Sequence, residues 1–143
     1  MKIDDFNTRI IITTRWRDLD AMNHVNNATF LTYFESVRMH YFDLIGHTDA
    51  KSQGNHGTVV VTQTCNYRQQ LHHPAVLDCG IRCTKIGNSS IKLEYALYHE
   101  GTDELVCDGT SASAWIDYDM NKSMRLPDVI RDAIAQHEGW EKS

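Results

Sequence analysis

A run of polar residues between Arg17 and Ala28 carries side chains that are suited to acid–base and nucleophilic chemistry. It holds two carboxylates, Asp18 and Asp20, together with His24 and three asparagines, and it lacks lysine. The run ends where the strongest helical pattern of the chain begins, and the first N–H groups of a helix have no partner within that helix. A carboxylate beside such free N–H donors is the combination that acyl transfer requires.

The helix that must position this run is predicted from about Asn27 to Ile45. Apolar side chains recur there every three or four residues and so share one face; they are Phe30, Phe34, Val37, Tyr41 and Leu44. Asn26 or Asn27 is expected to cap the first turn, and Gly46 to end the helix in the left-handed conformation. A helix of about 19 residues is about 28 Å long, which is enough to cross a small sheet.

Five segments are predicted to be strands, because they alternate in polarity or are rich in β-branched and aromatic residues. They cover 8–17, 58–68, 76–86, 91–98 and 105–117, with a turn at 100–103 and a polar loop between Gly46 and Gly57. A short C-terminal helix is expected to start at Leu126–Pro127. Without a repeat or linker, residues 1–143 are expected to form one α+β domain with an antiparallel sheet around the helix.

The composition excludes several classes of function. At 41% hydrophobic residues and a net charge of −5, the chain suits a globular protein and does not favour a nucleic-acid binder. No segment is long and apolar enough to span a bilayer, and the polar N-terminus lacks a signal-peptide core, so we expect a cytoplasmic protein without a membrane partner. Neither glycine-rich phosphate motif is present, and no cofactor is expected.

The cysteines and histidines do not indicate a metal site. Four cysteines at positions 65, 79, 83 and 107 form no C-x-x-C pair. Cys79 and Cys83 fall on one face of a predicted strand, which would allow a metal or a disulfide, but packing as small hydrophobic residues is the favoured interpretation. His72 and His73 precede a proline and are expected in a turn, without a further ligand at suitable spacing.

The stretch Arg17–Tyr33 with its helix resembles the hotdog-fold acyl-CoA thioesterases of the 4-hydroxybenzoyl-CoA thioesterase type. The signature of that family is close to Asp-x-Asp-(Ala/Pro)-x-(Gly/Asn)-His-Val-Asn-Asn, and residues 18–27 read Asp-Leu-Asp-Ala-Met-Asn-His-Val-Asn-Asn. Weaker similarity at 66–67, 86–90 and 117–127 extends the resemblance over nearly the whole chain. It implies a hotdog fold, in which a curved antiparallel five-stranded sheet wraps around one long central helix, plus a short C-terminal helix.

The resemblance also implies catalytic roles. Asp20 matches the family's catalytic aspartate, which would attack the thioester as a nucleophile or activate water as a general base. The backbone N–H near Asn27 would face the thioester oxygen as the oxyanion hole. His24 could polarise the carbonyl or line the acyl pocket, and a structural role in the loop is equally open. Asp18 lies two residues before Asp20 and could form an acid–base pair with it, but the favoured interpretation is a loop-stabilising acceptor paired with Arg15 or Arg17.

Candidate substrate-binding residues lie in two places. The first group is close to the motif and comprises Asn26 and Tyr33. The second group resembles the region that meets coenzyme A in relatives, and it comprises Lys85, Ser89 and Ser90. A further carboxylate lies on the helix at position 35, where some hotdog thioesterases carry their catalytic acid, although an exposed surface glutamate is the favoured interpretation.

The sequence therefore predicts an acyl-CoA thioesterase. An acyl-thioester hydratase or dehydratase, or a non-catalytic acyl-CoA-binding module, remains open at this point. The acidic net charge disfavours docking of an acidic carrier protein, so coenzyme A is the expected carrier. Because an open sheet leaves unprotected edges, and because hotdog relatives pair edge to edge, a homodimer or a homotetramer built as a dimer of dimers is expected.

Overall fold

A curved antiparallel sheet wraps around one long helix in the computed structural model, which describes residues 1–47 and 54–140. The strands are β1 (Thr8–Thr13), β2 (His56–Tyr67), β3 (Val76–Ile86), β4 (Ser90–His99), β5 (Leu105–Asp117) and the two-residue β6 (Lys122–Ser123). The five longer strands lie in the order β1-β3-β4-β5-β2, and β6 pairs with the end of β5. The bounds of β3 and β5 agree with the predicted strands.

The central helix α1 (Asn27–Leu44) lays its apolar face on the sheet. Its buried side chains include four of the five predicted ones, together with Tyr33 and Phe42. The prediction for Leu44 was wrong, since this side chain is 52% exposed. The helix ends there, and the chain turns through Gly46 at φ 78°, so that Ile45 enters the core instead. The predicted loop between Gly46 and Gly57 lies largely outside the described residues.

Aromatic side chains fill the space between α1 and the sheet. The Phe34 ring stacks on Tyr95 of β4 with ring centroids 4.5 Å apart, and Trp115 of β5 is almost fully buried. Burying one large apolar side chain contributes about 1.5–3 kcal/mol. The core therefore fixes α1 on the sheet, and with it the position at which the helix begins.

The first strand is shorter than the sequence predicted. The segment 8–17 was expected to be one strand, but β1 ends at Thr13 and a 3-10 turn follows over Trp16–Asp18. The cause is the Asp18 carboxylate, which accepts the backbone N–H of Arg15 at 2.9 Å and so closes a turn instead of a strand pair. This turn delivers the chain to the polar run before α1.

The C-terminal helix α2 (Asp128–Glu138) packs across β3 and α1. Ile130 and Ile134 are buried. The Glu138 carboxylate accepts the Tyr41 hydroxyl at 2.7 Å and the Cys83 N–H at 2.9 Å, which joins α2 to both layers. Among the helices of the described residues, none has the length and apolarity needed to cross a membrane.

Candidate active site

The loop before α1 is built as a tight turn around the Asp20 carboxylate. Its Oδ1 accepts the backbone N–H groups of Met22 at 2.8 Å and His24 at 3.1 Å. The Asp20 N–H donates to the His24 carbonyl at 2.8 Å, and Asn23 adopts a positive φ of 63° inside the turn. The second oxygen, Oδ2, accepts no hydrogen bond from the described residues, and the side chain is exposed. One oxygen of Asp20 therefore orients the carboxylate, and the other is available for chemistry.

The buried Asp18 carboxylate anchors the loop to its neighbours. Its side chain is 2% exposed and accepts the Tyr33 hydroxyl at 2.7 Å, the Arg15 N–H, and the Arg15 guanidinium at 3.0 and 3.2 Å. Burial raises the pKa of Asp18, but these hydrogen bonds outweigh that effect and hold its pKa below the ordinary value. The carbonyl of Asp18 also accepts the Asn26 N–H at 2.8 Å. The predicted pairing of Asp18 with an arginine is present, and the carboxylate ties the loop to the helix.

The start of α1 offers a free backbone donor. Asn26 caps the helix, since its Oδ1 accepts the Ala28 N–H at 2.8 Å and its carbonyl accepts the Thr29 N–H at 2.9 Å. The N–H of Asn27 has no acceptor among the described residues. The Asn27 carbonyl, which belongs to the following peptide unit, accepts the Tyr67 hydroxyl at 2.9 Å and ties this residue to β2. A helix N-terminus favours negative charge, so the Asn27 N–H is suited to hold an oxyanion.

These groups face a cleft of about 300 Å³. Asp20, His24 and Asn27, the three predicted catalytic residues, all line it. The remaining lining residues come from the loop before α1, from α1 itself, from the end of β2 and from the segment after β2: Val25, Phe30, Tyr67, Arg68, Gln69, Gln70 and Leu71. The structure therefore brings the proposed carboxylate, histidine and helix N-terminus together in one place.

The second wall of the cleft, residues 68–71, was not identified from the sequence. This segment is held by the Val25 N–H, which donates to the Leu71 carbonyl at 2.7 Å, and by an isolated bridge between His24 and His72. The rings of those two histidines meet edge to face with centroids 4.7 Å apart. The weak family resemblance at 66–67, directly before this wall, was the signal that could have indicated it.

The other predicted binding residues do not line this cleft in the single chain. Asn26 lies at its edge, and its side-chain oxygen is used by the helix cap. Tyr33 is buried, and its hydroxyl donates to Asp18, so it holds the loop; its predicted contact with a substrate stays a prediction. Lys85, Ser89 and Ser90 lie in the β3–β4 hairpin, and their predicted contact with coenzyme A stays a prediction.

The carboxylate on the long helix lies apart from this cleft. Glu35 is exposed on α1 and lines a different cavity, together with Arg38. The Arg38 side chain turns inward and donates to Gln63 at 3.0 Å and to the Tyr95 hydroxyl at 3.0 Å. Within residues 1–47 and 54–140, no group of three or more histidine, cysteine, aspartate or glutamate side chains could hold a metal ion.

Comparison with known proteins gives the context of this arrangement. The sequence profile of the thioesterase-like superfamily matches residues 14–134. The uncharacterised protein YsmA of Bacillus subtilis (strain 168) is 32% identical over 84 residues, which are 59% of this chain and 56% of that protein. The chain thus spans little more than half the length of this curated relative.

Solved structures agree over nearly the full chain. A thioesterase from Thermus thermophilus, complexed with coenzyme A and Zn, is 28% identical with a TM-score of 0.84, over 97% of this chain and 99% of that chain. The PA5185 protein from Pseudomonas aeruginosa strain PAO1 is 29% identical with a TM-score of 0.83, over 94% of both chains. The predicted hotdog fold is confirmed.

Proposed function

Since the chain belongs to the thioesterase-like superfamily, we propose that it hydrolyses the thioester of an acyl-CoA to a free acid and coenzyme A. The observation that carries this proposal is the pairing, in one cleft, of an Asp20 carboxylate with one unengaged oxygen and an Asn27 N–H without an acceptor among the described residues. The coenzyme A bound to the Thermus thermophilus thioesterase supports coenzyme A as the carrier.

In the proposed reaction, Asp20 acts on the thioester carbonyl carbon. Its free oxygen either attacks the carbon, which gives a mixed anhydride that water hydrolyses, or takes a proton from an attacking water. Negative charge that develops on the carbonyl oxygen is stabilised by the Asn27 N–H and the helix dipole, and one such donor contributes about 2.7–4 kcal/mol. The carbon–sulfur bond then breaks, and coenzyme A leaves as a thiolate that takes up a proton.

His24 and its neighbours complete the proposed site. The half-buried His24 ring lies on the cleft wall against His72, where it contacts the acyl group or polarises the carbonyl. The Phe30 side chain and the Tyr67 ring meet edge to face at 5.4 Å and supply apolar surface for the acyl group. Lys85, together with Ser89 and Ser90, is proposed to meet the phosphates of coenzyme A.

The variant Asp20→Asn tests the assignment. Asparagine keeps a carbonyl oxygen that can accept the Met22 and His24 N–H groups, so the turn is retained while the nucleophile or base is lost. We expect thiol release from a panel of acyl-CoAs, including 4-hydroxybenzoyl-CoA, to fall by about 10²–10⁴-fold with an unchanged melting temperature. Glu35→Gln, which removes an exposed carboxylate outside the cleft, is the matched control and should retain full turnover.

The outcomes of this assay separate the alternatives. Undiminished turnover in Asp20→Asn would refute the role of Asp20. Binding of acyl-CoA without thiol release in the wild-type protein would favour a binding module, and addition of water to an enoyl group without thiol release would favour a hydratase. Hydrolysis of 4-hydroxybenzoyl-CoA would support assignment to the 4-hydroxybenzoyl-CoA type. The position of the Asp20 carboxylate, in the loop and not on the helix, is consistent with that type.

A homodimer or a dimer of dimers is proposed as the working form. Strand β2 is an outer edge of the sheet, and three consecutive side chains on it, Val59, Val60 and Val61, are 41%, 43% and 61% exposed. An apolar edge strand favours pairing with another strand. In sedimentation experiments we expect at least a dimer, and Val61→Lys should shift the equilibrium towards the monomer. A wild-type monomer at working concentration would contradict this proposal.

The cysteines support a reducing compartment. All four are free, and Cys79, Cys83 and Cys107 are buried. Free cysteines are typical of cytosolic proteins, so we propose a cytoplasmic location. Fractionation of the native host, with the protein followed by an antibody, tests this location.

A further inference from the structure

Two of the four cysteines lie together on neighbouring strands at the cleft end of the sheet. Cys65 is opposite Gly109, and Cys107 is opposite Tyr67 in the register of β2 and β5. The two cysteines are therefore diagonal neighbours on one face of the sheet. Their sulfur atoms are 3.1 Å apart and are not bonded to each other. The two sulfur atoms must approach each other by about 1 Å to reach the length of a disulfide bond, with a small adjustment of the strands.

We propose that Cys65 and Cys107 are a reversible oxidation site, at which a peroxide converts the two thiols into a disulfide that alters the neighbouring cleft. The pairing of β2 with β5 holds the two sulfur atoms close together. A peroxide can reach Cys65, because Cys65 is half-buried whereas Cys107 is buried. Cys79 and Cys83 are both buried, and burial raises the pKa of both thiols. They serve as unreactive references in the same chain.

The electrostatics assign the first step to Cys65. Its hydrogen bond with the Cys107 thiol outweighs the effect of burial and lowers the pKa of Cys65 to about 7, and the Tyr67 hydroxyl acts in the same direction. The same hydrogen bond, together with burial, raises the pKa of Cys107. The thiolate is the reactive form of cysteine, so Cys65 is the attacking sulfur and Cys107 the resolving one.

The reaction balances with one equivalent of hydrogen peroxide. The Cys65 thiolate attacks one peroxide oxygen, the O–O bond breaks, and the other oxygen leaves as water with a proton, which yields a sulfenic acid. The Cys107 sulfur then attacks the Cys65 sulfur, the S–O bond breaks, and the hydroxyl group leaves as water with the Cys107 proton. Two thiols and one peroxide give one disulfide and two waters, and a dithiol reductant reverses the change by thiol–disulfide exchange.

The link to the cleft runs through Tyr67. Its hydroxyl donates to the Asn27 carbonyl at 2.9 Å, and Tyr67 lies opposite Cys107 in the register of β2 and β5. A disulfide joins β2 to β5 two residues before Tyr67. Because Tyr67 ties residue 27 to β2, a displacement of Tyr67 would also shift the Asn27 N–H. We therefore expect turnover to fall by about tenfold in the oxidised protein. This part of the inference rests on the proposed function.

The experiment treats the reduced full-length protein with hydrogen peroxide and measures intact and peptide masses without reductant. The expected result is a loss of about 2 Da, a linked pair of peptides containing Cys65 and Cys107, and full reversal by dithiothreitol. Cys107→Ser should accumulate a sulfenic acid on Cys65 that dimedone traps. Cys65→Ser should abolish both products, whereas the control Cys79→Ala should behave as the wild-type protein does.

The mass measurements do not depend on catalysis, so they distinguish a failure of this proposal from a failure of the proposed function. A linkage that involves Cys79 or Cys83, a disulfide between two protein molecules, or the absence of the mass change would overturn the oxidation site. The mass measurements on the wild-type protein decide between these outcomes even if a variant does not fold. An oxidised protein with unchanged turnover would overturn the link to the cleft.

Discussion

Removal of the Tyr33 hydroxyl tests whether the buried Asp18 anchor holds the loop. The hydroxyl donates to Asp18 at 2.7 Å, and Tyr33 and Asp18 are 3% and 2% exposed. Tyr33→Phe keeps the ring in place and deletes one hydrogen bond to a buried charge. Such a bond contributes about 1.5–3 kcal/mol, so we expect the free energy of unfolding at pH 7 to fall by this amount. The expected decrease in melting temperature is roughly 5–12 °C for a chain of this size.

The pH dependence of this loss has a defined sign. The pKa of Asp18 is lowered from 3.8 in the folded protein, so its ionised form contributes stability above the unfolded pKa, and that contribution disappears as the pH falls through the folded pKa. Below that pH the carboxyl is protonated in wild type and variant alike, and the difference between them should shrink. Urea unfolding at a series of pH values between 7 and about 2 measures both quantities.

Tyr98→Phe is the matched control for this measurement. The Tyr98 hydroxyl is buried and has no hydrogen-bond partner among the described residues, so its removal should be neutral or stabilising. A loss in Tyr33→Phe that equals the change in Tyr98→Phe would refute the anchoring role of Asp18. A loss that does not diminish in acid would show that the Tyr33 hydroxyl stabilises the fold independently of the ionised Asp18 carboxylate.

Three further substitutions have separate outcomes. Tyr67→Phe removes the hydrogen bond to the Asn27 carbonyl. Turnover of the reduced protein should fall by about tenfold, while its melting temperature changes little. A fall in melting temperature large enough to explain the lost turnover would contradict the positioning role. Asn26→Ala removes the helix cap and should cost about 1 kcal/mol in urea unfolding; an unchanged midpoint would contradict the cap. Gly109→Ala would drive a Cβ into the Thr64 carbonyl oxygen, and we expect a loss of more than about 2 kcal/mol in the same assay; an unaffected protein would show that β2 and β5 separate readily.

The sequence was informative wherever the controlling interactions are local. The 3.6-residue period located α1, and the Asp18–Asn27 motif pointed to the turn that holds Asp20 and to the cap at Asn26, because capping and turn chemistry involve neighbours in the chain. The comparison with relatives then confirmed the fold that the motif implied. The catalytic role of Asp20 stays a prediction.

The features that the sequence did not predict depend on which side chain captures a backbone donor and on contacts between distant segments. The end of β1 is decided by the Asp18 carboxylate, whose capture of a backbone N–H overrides the strand propensity of residues 14–17. The burial of Tyr33 and its bond to Asp18, fifteen residues earlier, were likewise not predicted. The cleft wall at 68–71 reaches the loop only because β2 crosses the sheet to that end, which no local pattern encodes.

The backbone contact between the two walls of the cleft has a kinetic consequence. The Val25 N–H is bonded to the Leu71 carbonyl at 2.7 Å, and Val25 itself is 3% exposed. Separating the walls requires breaking this buried backbone hydrogen bond, so the Val25 N–H should exchange with deuterium only through larger opening events. This bond should therefore hold the two walls in place before a ligand binds, so that little conformational entropy is lost there on association. Such a cleft should discriminate between ligands by their fit to a fixed shape.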